Sequence, residues 1–338
     1  MAEPLLSVVI PTRNRLGFLR EAVESVRRQT YANWELIVVD DASEDKTWDW
    51  LCSLEDSRIR TLRVKRRSER TSARNRGLAE ARGDFVLFLD DDDRLRPLAL
   101  ERLAAALVRH QSAVATIGAR VCFDERGHRR RVPHPRLQRV RHVWADVVAG
   151  WCGGQGQCLI RRHFLLAAGS WSENLFVAED HELWLRLARL GPAILVPWDV
   201  LECRVHRGQH RPANTTTIEE TFRRGHIQAL PERERQRGER LFRAWKALSE
   251  ATRAWDRGDP WHAFRSALVA VGAAPELSFS PVMPIATLLA RCFIGVLIGR
   301  RAIFAVRRMK IRCREVARSN PGRDRPVMRI ANYRLPAK

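Results

Sequence analysis

The sequence predicts an α/β fold, a mostly parallel sheet covered by helices on both faces. Apolar, β-branched runs alternate with segments of helical spacing through the first hundred residues, the order of successive βαβ units. Several of these runs are apolar throughout, as strands buried on both faces are. Aspartate-rich clusters follow the second and fourth runs.

The elements follow in order. "LLSVVI" (5–10) is the first strand, and "LGFLREAVESVRRQ" (16–29) is a helix with Leu19, Val23 and Val26 on one face. "WELIVV" (34–39) is the second strand, residues 45–54 a short helix, and "IRTLRV" (59–64) a third strand. "TSARNRGLAEAR" (71–82) is a helix feeding the fourth strand, "FVLFL" (85–89). Pro97 opens the helix over 97–110, because its missing N–H is harmless in a first turn. From 112 to 213 the pattern is less regular. "AVATIGARVCF" gives one or two strands, "DERGHRRRVPHPR" a charged loop and "GWCGGQGQC" a glycine-rich loop. A helix over 181–191 stops at Gly191–Pro192, followed by short strands at 193–198 and 201–205. Residues 219–272 give two or three amphipathic helices, and 281–306 is the most apolar stretch. No internal repeat is visible. The expected division is a catalytic-type α/β domain over 1–213, a helical extension over 214–275, and an apolar helix with a basic tail over 276–338.

The 338 residues are 45% hydrophobic, ample for a sizeable core. Seven cysteines include no C-x-x-C pair, so neither a zinc knuckle nor a disulfide framework is signalled. They read as small buried hydrophobes in a reducing compartment. The start, "MAEPLLSVVIPTRNR", has a short apolar run behind an acidic residue and reads as a first strand, not a signal peptide. The expectation is a cytoplasmic protein.

The net charge of +21 is uneven: residues 291–338 carry 14 Lys/Arg against 2 Asp/Glu. Ile285–Gly299, interrupted by Arg291, is shorter than the about 20 apolar residues of a spanning helix. Two readings fit it: a helix lying in the interface of an anionic membrane, each basic residue adding about 1 kcal/mol, or a helix buried against the α/β domain with a solvated basic tail.

Four consecutive carboxylates, Asp90 to Asp93, follow a buried strand, and such neighbours repel unless a cation faces them. In an open α/β sheet, ligands sit outside the carboxyl ends of the strands. That edge should gather Pro11–Asn14, Asp40, Asp41 and Asp90–Asp93. "PTRNRLG" lacks G-x-G-x-x-G, and no phosphate-cradling P-loop appears. Phosphates here would need a metal, Mg²⁺ or Mn²⁺ on the aspartates, and arginines such as Arg13, Arg74 and Arg76.

Five ordered stretches, "SVVIPTRNR", "WELIVVDDASEDKT", "SARNRGLAEARGDFVLFLDDDD", "GSWSENLFVAEDHELWLRLARLG" and "CRVHRGQH", span residues 7 to about 210. In them the chain resembles family 2 glycosyltransferases of the GT-A fold. The resemblance implies a Rossmann-like sheet and inverting transfer from a nucleotide-diphosphate sugar to a glycan, lipid-linked or small-molecule acceptor, in cell-surface polysaccharide or glycoconjugate biosynthesis. It gives Thr12, Arg13, Asp40, Arg74 and Asp90 to the nucleotide sugar, and Asp90, Asp92 and His206 to the metal. Asp180 becomes the general base. Asp91 matches a variable bystander position, Asp93 and Glu179 supporting ones. "GSWSE" and the glycine-rich loop depart from the usual family pattern where the acceptor pocket is shaped. His206 and His210 have i, i+4 spacing, but Gly208 argues against a helical zinc pair. Two other classes compete. A nucleotidyltransferase would use similar Asp–metal–phosphate chemistry but normally a glycine-rich first loop. A nucleic-acid-binding protein would explain the charge, yet the basic excess lies in a tail without stacking aromatics. No nucleic-acid partner is expected.

Overall fold

The computed structural model describes residues 3–132, 134–175, 177–206, 215–278, 280, 288–290, 292–294 and 296. The first half contains β1 (Leu6–Thr12), α1 (Leu16–Arg27), β2 (Trp34–Asp40), α2 (Thr47–Cys52), β3 (Ile59–Arg63), α3 (Arg70–Glu80) and β4 (Phe85–Phe88). Then come β5 (Arg94–Leu95), α4 (Ala99–Arg109), β6 (Ala115–Asp124), β7 (Arg129–Arg131), β8 (Arg139–Arg141) and α5 (Trp144–Val148). β9 (Cys158–Arg161), α6 (Arg162–Ala167), α7 (Glu179–Leu190) and β10 (Ala193–Val205) complete the sheet. The C-terminal helices are α8 (Thr215–Gln228), α9 (Glu232–Asp256) and α10 (Pro260–Ala273).

The strands form one sheet in the order β3-β2-β1-β4-β9-β6-β10-β5, with β7 on β6 and β8 on β10. β3, β2, β1 and β4 run parallel, whereas β9 is antiparallel to both β4 and β6. The parallel register sets Thr12 beside Asp40, so the ends of β1 and β2 open onto one edge. Leu89 continues β4 to that edge through its N–H to Val9 O, 2.9 Å.

Alternation along β1 serves two cores. Leu6, Val8 and Ile10 pack with Leu19 and Val23 of α1 and Leu100 and Leu103 of α4. Val9 faces the other way, into a core with Leu78 of α3, Leu187 of α7 and Phe242 of α9. Each such fully buried side chain contributes about 1.5–3 kcal/mol. α8 and α9 bring Ile227, Leu241 and Trp245 into that second core, so the C-terminal helices share it with the sheet.

Three expectations change. The strands expected at 193–198 and 201–205 are one strand, β10, whose register against β6 shifts between Leu195 and Leu201. That irregularity explains the apparent gap. The charged loop contains β7, three exposed arginines paired to Val121–Phe123, which have no apolar face to betray a strand. The cysteines are not uniformly buried: Cys158 and Cys292 are, Cys52 is exposed, and Cys122, Cys152 and Cys203 are intermediate. Most of the apolar stretch 281–306 and the whole basic tail lie outside the described residues. Among the described residues, no helix is long and apolar enough to cross a membrane.

α3 lies so close to the sheet that a methyl at Gly77 would overlap Val9 Cγ1 and press on Val39 Cγ2. Gly77→Ala should therefore destabilise the fold by about 1–3 kcal/mol, read from chemical denaturation. Unchanged stability would show that the helix can move outward.

Candidate functional site

A cleft of about 580 Å³ opens at the carboxyl edge of β1 and β4. Thr12, Arg13 and Arg15 line one side, Arg67, Arg70 and Arg74 another, and Asp90–Asp93 the floor. Arginines from both walls thus face the aspartate run, offsetting its self-repulsion.

Each aspartate has its own environment. Asp90 is the most exposed, and one oxygen accepts from Arg74 Nη2 at 2.7 Å. Asp91 is buried and accepts from Thr12 Oγ1 at 2.8 Å and Arg15 Nη1 at 3.0 Å. Burial pushes its carboxyl up to about 6, with Arg15 and Thr12 pulling the other way. Asp92 meets Arg15 Nη1 at 2.9 Å and His206 Nε2 at 2.9 Å through the same oxygen. Asp93 accepts the Arg204 backbone N–H at 2.8 Å. Burial, then Asp90 and Asp92, hold it well above the usual carboxylate range.

Arg74 links this floor to α7. It is 1% exposed, donates to Asp90 and to Glu179 Oε1 at 3.0 Å, and lies over the Trp171 ring at 4.8 Å. Asn75 staples the Trp171 loop by exchanging backbone bonds with it at 2.9 and 3.0 Å. Glu179, Asp180 and Glu182 occupy the first turn of α7, where acids complement the positive helix end. Asp180 is partly buried; it accepts the His181 N–H at 2.9 Å and the Cys152 thiol at 3.5 Å. Burial alone would raise it, but His181, Cys152 and Arg74 together hold it below the usual carboxylate range. The group is thereby held as a carboxylate.

Asp40 is fully buried at the end of β2. Its Oδ1 accepts the Ser43 N–H at 3.2 Å. Its Oδ2 lies 3.5 Å from Arg63 Nε and has no hydrogen-bond donor among the described residues, an unusual state for a buried carboxylate. Asp41 instead ties down the loop before α3, accepting from Ser68 N–H at 2.7 Å, Ser68 Oγ at 2.8 Å and Glu69 N–H at 3.2 Å. Left-handed backbone recurs around the site, at Asn14, Ala42, Glu69 and Ala178 (φ 52°, 56°, 72° and 54°). Such conformations cost about 1 kcal/mol or more each and collect at functional sites.

Of the expected residues, Thr12, Arg13, Arg74, Asp90 and Asp92 line the cleft, and His206 touches Asp92. Asp40, fully buried, and Asp180 do not line that cleft; Asp180 follows Glu179, the second partner of Arg74. Two expectations are corrected. Arg76 is exposed and does not line the cleft, because it sits on the outer face of α3. Asp91 is no bystander, since Thr12 and Arg15 hold it inside the floor. Arg15, Arg67 and Arg70 were not anticipated; in a chain this rich in arginine, only the placed loops single them out. His210 lies outside the described residues.

Carboxylate oxygens of Asp90, Asp92 and Asp93 lie within 4.8 Å of one another, a hard-oxygen set compatible with Mg²⁺ or Mn²⁺.

Residues 7–164 match the family described as glycosyl transferase family 2. The O-antigen biosynthesis protein RfbC of Myxococcus xanthus is 32% identical over 199 residues, 56% of this chain and 15% of that protein. The putative teichuronic acid biosynthesis glycosyltransferase TuaG of Bacillus subtilis is 36% identical over 118 residues, 34% and 47% of the two chains. Escherichia coli WfgD, a UDP-Glc:alpha-D-GlcNAc-diphosphoundecaprenol beta-1,3-glucosyltransferase, is 41% identical over 93 residues, 28% and 37% of the two. The chain thus spans less than half the length of these relatives. S. aureus TarS 1–349, solved with UDP-GlcNAc, superposes with a TM-score of 0.62 over 88% of this chain and 91% of that one. At 18% identity, the likeness is one of fold.

Because Arg74 and Glu179 are both buried, removing one costs the other its buried partner, leaving Arg74 with Asp90 alone or Glu179 with Arg70 at 3.6 Å. Arg74→Met should cost about 3–5 kcal/mol in chemical denaturation, and adding Glu179→Gln should recover part of it. Additive losses would show that the pair is not coupled.

Proposed function

Because residues 7–164 match glycosyl transferase family 2, we propose that this chain transfers a sugar, with inversion, from a nucleotide-diphosphate sugar to a hydroxyl of a glycan, lipid-linked or small-molecule acceptor. The process served is the assembly of a cell-surface polysaccharide, as the names of RfbC, TuaG and WfgD suggest. One observation carries the reading: Arg74 joins the exposed carboxylate of Asp90 to the acidic turn that holds Asp180.

Donor binding falls to the edge of the sheet. Asp40 Oδ2, without a hydrogen-bond donor among the described residues, suits an N–H of the base, while Thr12 and Arg13 flank the nucleoside and phosphates. Asp90, Asp92 and His206 would hold Mg²⁺ or Mn²⁺, with a carboxylate oxygen of Asp93 in the same cluster. A bound cation neutralises charge on the departing diphosphate. Arg74, already beside Asp90, adds a fixed positive charge. Asp180 accepts the proton of the attacking hydroxyl, the task of a positioned ionised carboxylate. A lipid-linked acceptor would bring the chain to the cytoplasmic membrane face, where the net +12 of residues 291–338 favours anionic lipid.

The test is release of nucleoside diphosphate from a panel of UDP-, GDP- and dTDP-sugars with Mn²⁺ or Mg²⁺. Turnover should vanish with chelator and with Asp92→Ala. Asp180→Asn should still bind UDP while losing about 10²–10⁴-fold in kcat. Undiminished turnover in Asp180→Asn would remove the base assignment, and metal-independent turnover would remove the metal site.

A further inference from the structure

The helical extension reaches the proposed base. α8 packs on α7 and presents Glu219 and Arg223, one turn apart, to His181, the residue after Asp180. Arg223 Nη2 lies 2.9 Å from His181 Nδ1, and Glu219 Oε2 lies 3.3 Å from the same nitrogen. Arg223 is fully buried. Its Nη1 donates to the carbonyls of Val147 at 2.5 Å and Val148 at 3.0 Å, and its guanidinium lies over Trp245 of α9 at 5.0 Å. Those carbonyls belong to the end of α5, which leads directly to Cys152, the thiol that donates to Asp180. One guanidinium therefore holds both neighbours of Asp180, the imidazole and the thiol loop.

Packing alone does not explain this choice. A buried charge is costly, and a well-packed apolar side chain would hold the helices as well or better. Arg223 has a single carboxylate partner among the described residues, Glu219, and its Nε has no acceptor there. Burial accordingly lowers its affinity for its proton. Such expense beside a proposed base argues for an electrostatic task.

Resting on the reading above, we propose that Glu219 and Arg223 of α8 are positioning residues for the general base, fixing the His181 imidazole beside Asp180 from outside residues 7–164. The charged and titratable groups around Asp180 are His181 on its own helix, Cys152 after α5, Cys158 of β9, Arg74 of α3 and Arg223 of α8. Arg120 of β6 acts on both thiols. Burial would raise Asp180; His181 is the first of the influences that lower it. Glu219 holds the imidazole at 3.3 Å, so losing Glu219 loosens the group that lowers Asp180 and lets Asp180 rise. Cys152, Asp180 and His181 present metal-ligand atoms within 4.8 Å of one another, but the Arg223 guanidinium opposes a cation at His181.

The experiment compares wild type, Glu219→Gln and His181→Asn in the full chain. It measures kcat between about pH 5 and pH 9 with whichever donor of the panel the wild type turns over with Mn²⁺, and UDP affinity in parallel. The base must be ionised, so its titration forms the acid limb. That limb should move to higher pH in both variants, with UDP affinity within about twofold of wild type. An active wild type whose acid limb is unmoved in both variants overturns the inference alone, as does a loss of kcat that is equal at every pH. A wild type inert on every donor overturns the functional reading and this inference with it.

Discussion

A single buried guanidinium, Arg74, holds the two halves of the site together. It is 1% exposed and pairs with Asp90 from the sheet and Glu179 from α7, residues 89 positions apart. A lone arginine in that position would be prohibitive; between two carboxylates it becomes a fixed counter-charge. The aspartate run depends on the same principle at its other side, where Arg15 touches Asp91 and Asp92. Four adjacent acids are tolerated because each is met differently, by a guanidinium, a hydroxyl, an imidazole or a backbone amide.

Topology supplies the remaining constraint. β1, β2 and β4 are parallel neighbours, so the residues leaving them emerge at one edge. β9 then enters antiparallel to β4 and β6, bringing the glycine-rich loop before it close to α7. Trp184 of α7 donates to Gly153 O at 2.7 Å, tying that loop to the helix carrying Asp180. A side chain at Gly153 would overlap Cys158 Sγ and the Trp184 ring, so this glycine allows the loop to pack so closely on α7.

The parallel half was legible because β1, β2 and β4 are buried on both faces, and their apolar runs admit little else. Thr12, Asp90 and Asp92 could be placed on one edge because they stand at the ends of β1 and β4, whereas Arg74, inside α3, rested on the resemblance in "SARN". What escaped depends on distant partners. Asp91 owes its place to Thr12, 79 positions away, and His181 meets Arg223 across 42. β7 and β8 are short, largely exposed and rich in arginine, with no apolar period to mark them. The fused β10 shows that a bulge can pass for a break between strands.

The central claim is that the acidic sheet edge holds a divalent cation together with a nucleotide diphosphate. Crystals of the full chain grown with UDP and Mn²⁺, measured for anomalous scattering, address it directly. The account predicts one manganese peak in coordination contact with Asp92 and the diphosphate, beside Asp90. UDP bound in the cleft without such a peak, or manganese bound away from these aspartates, would contradict it.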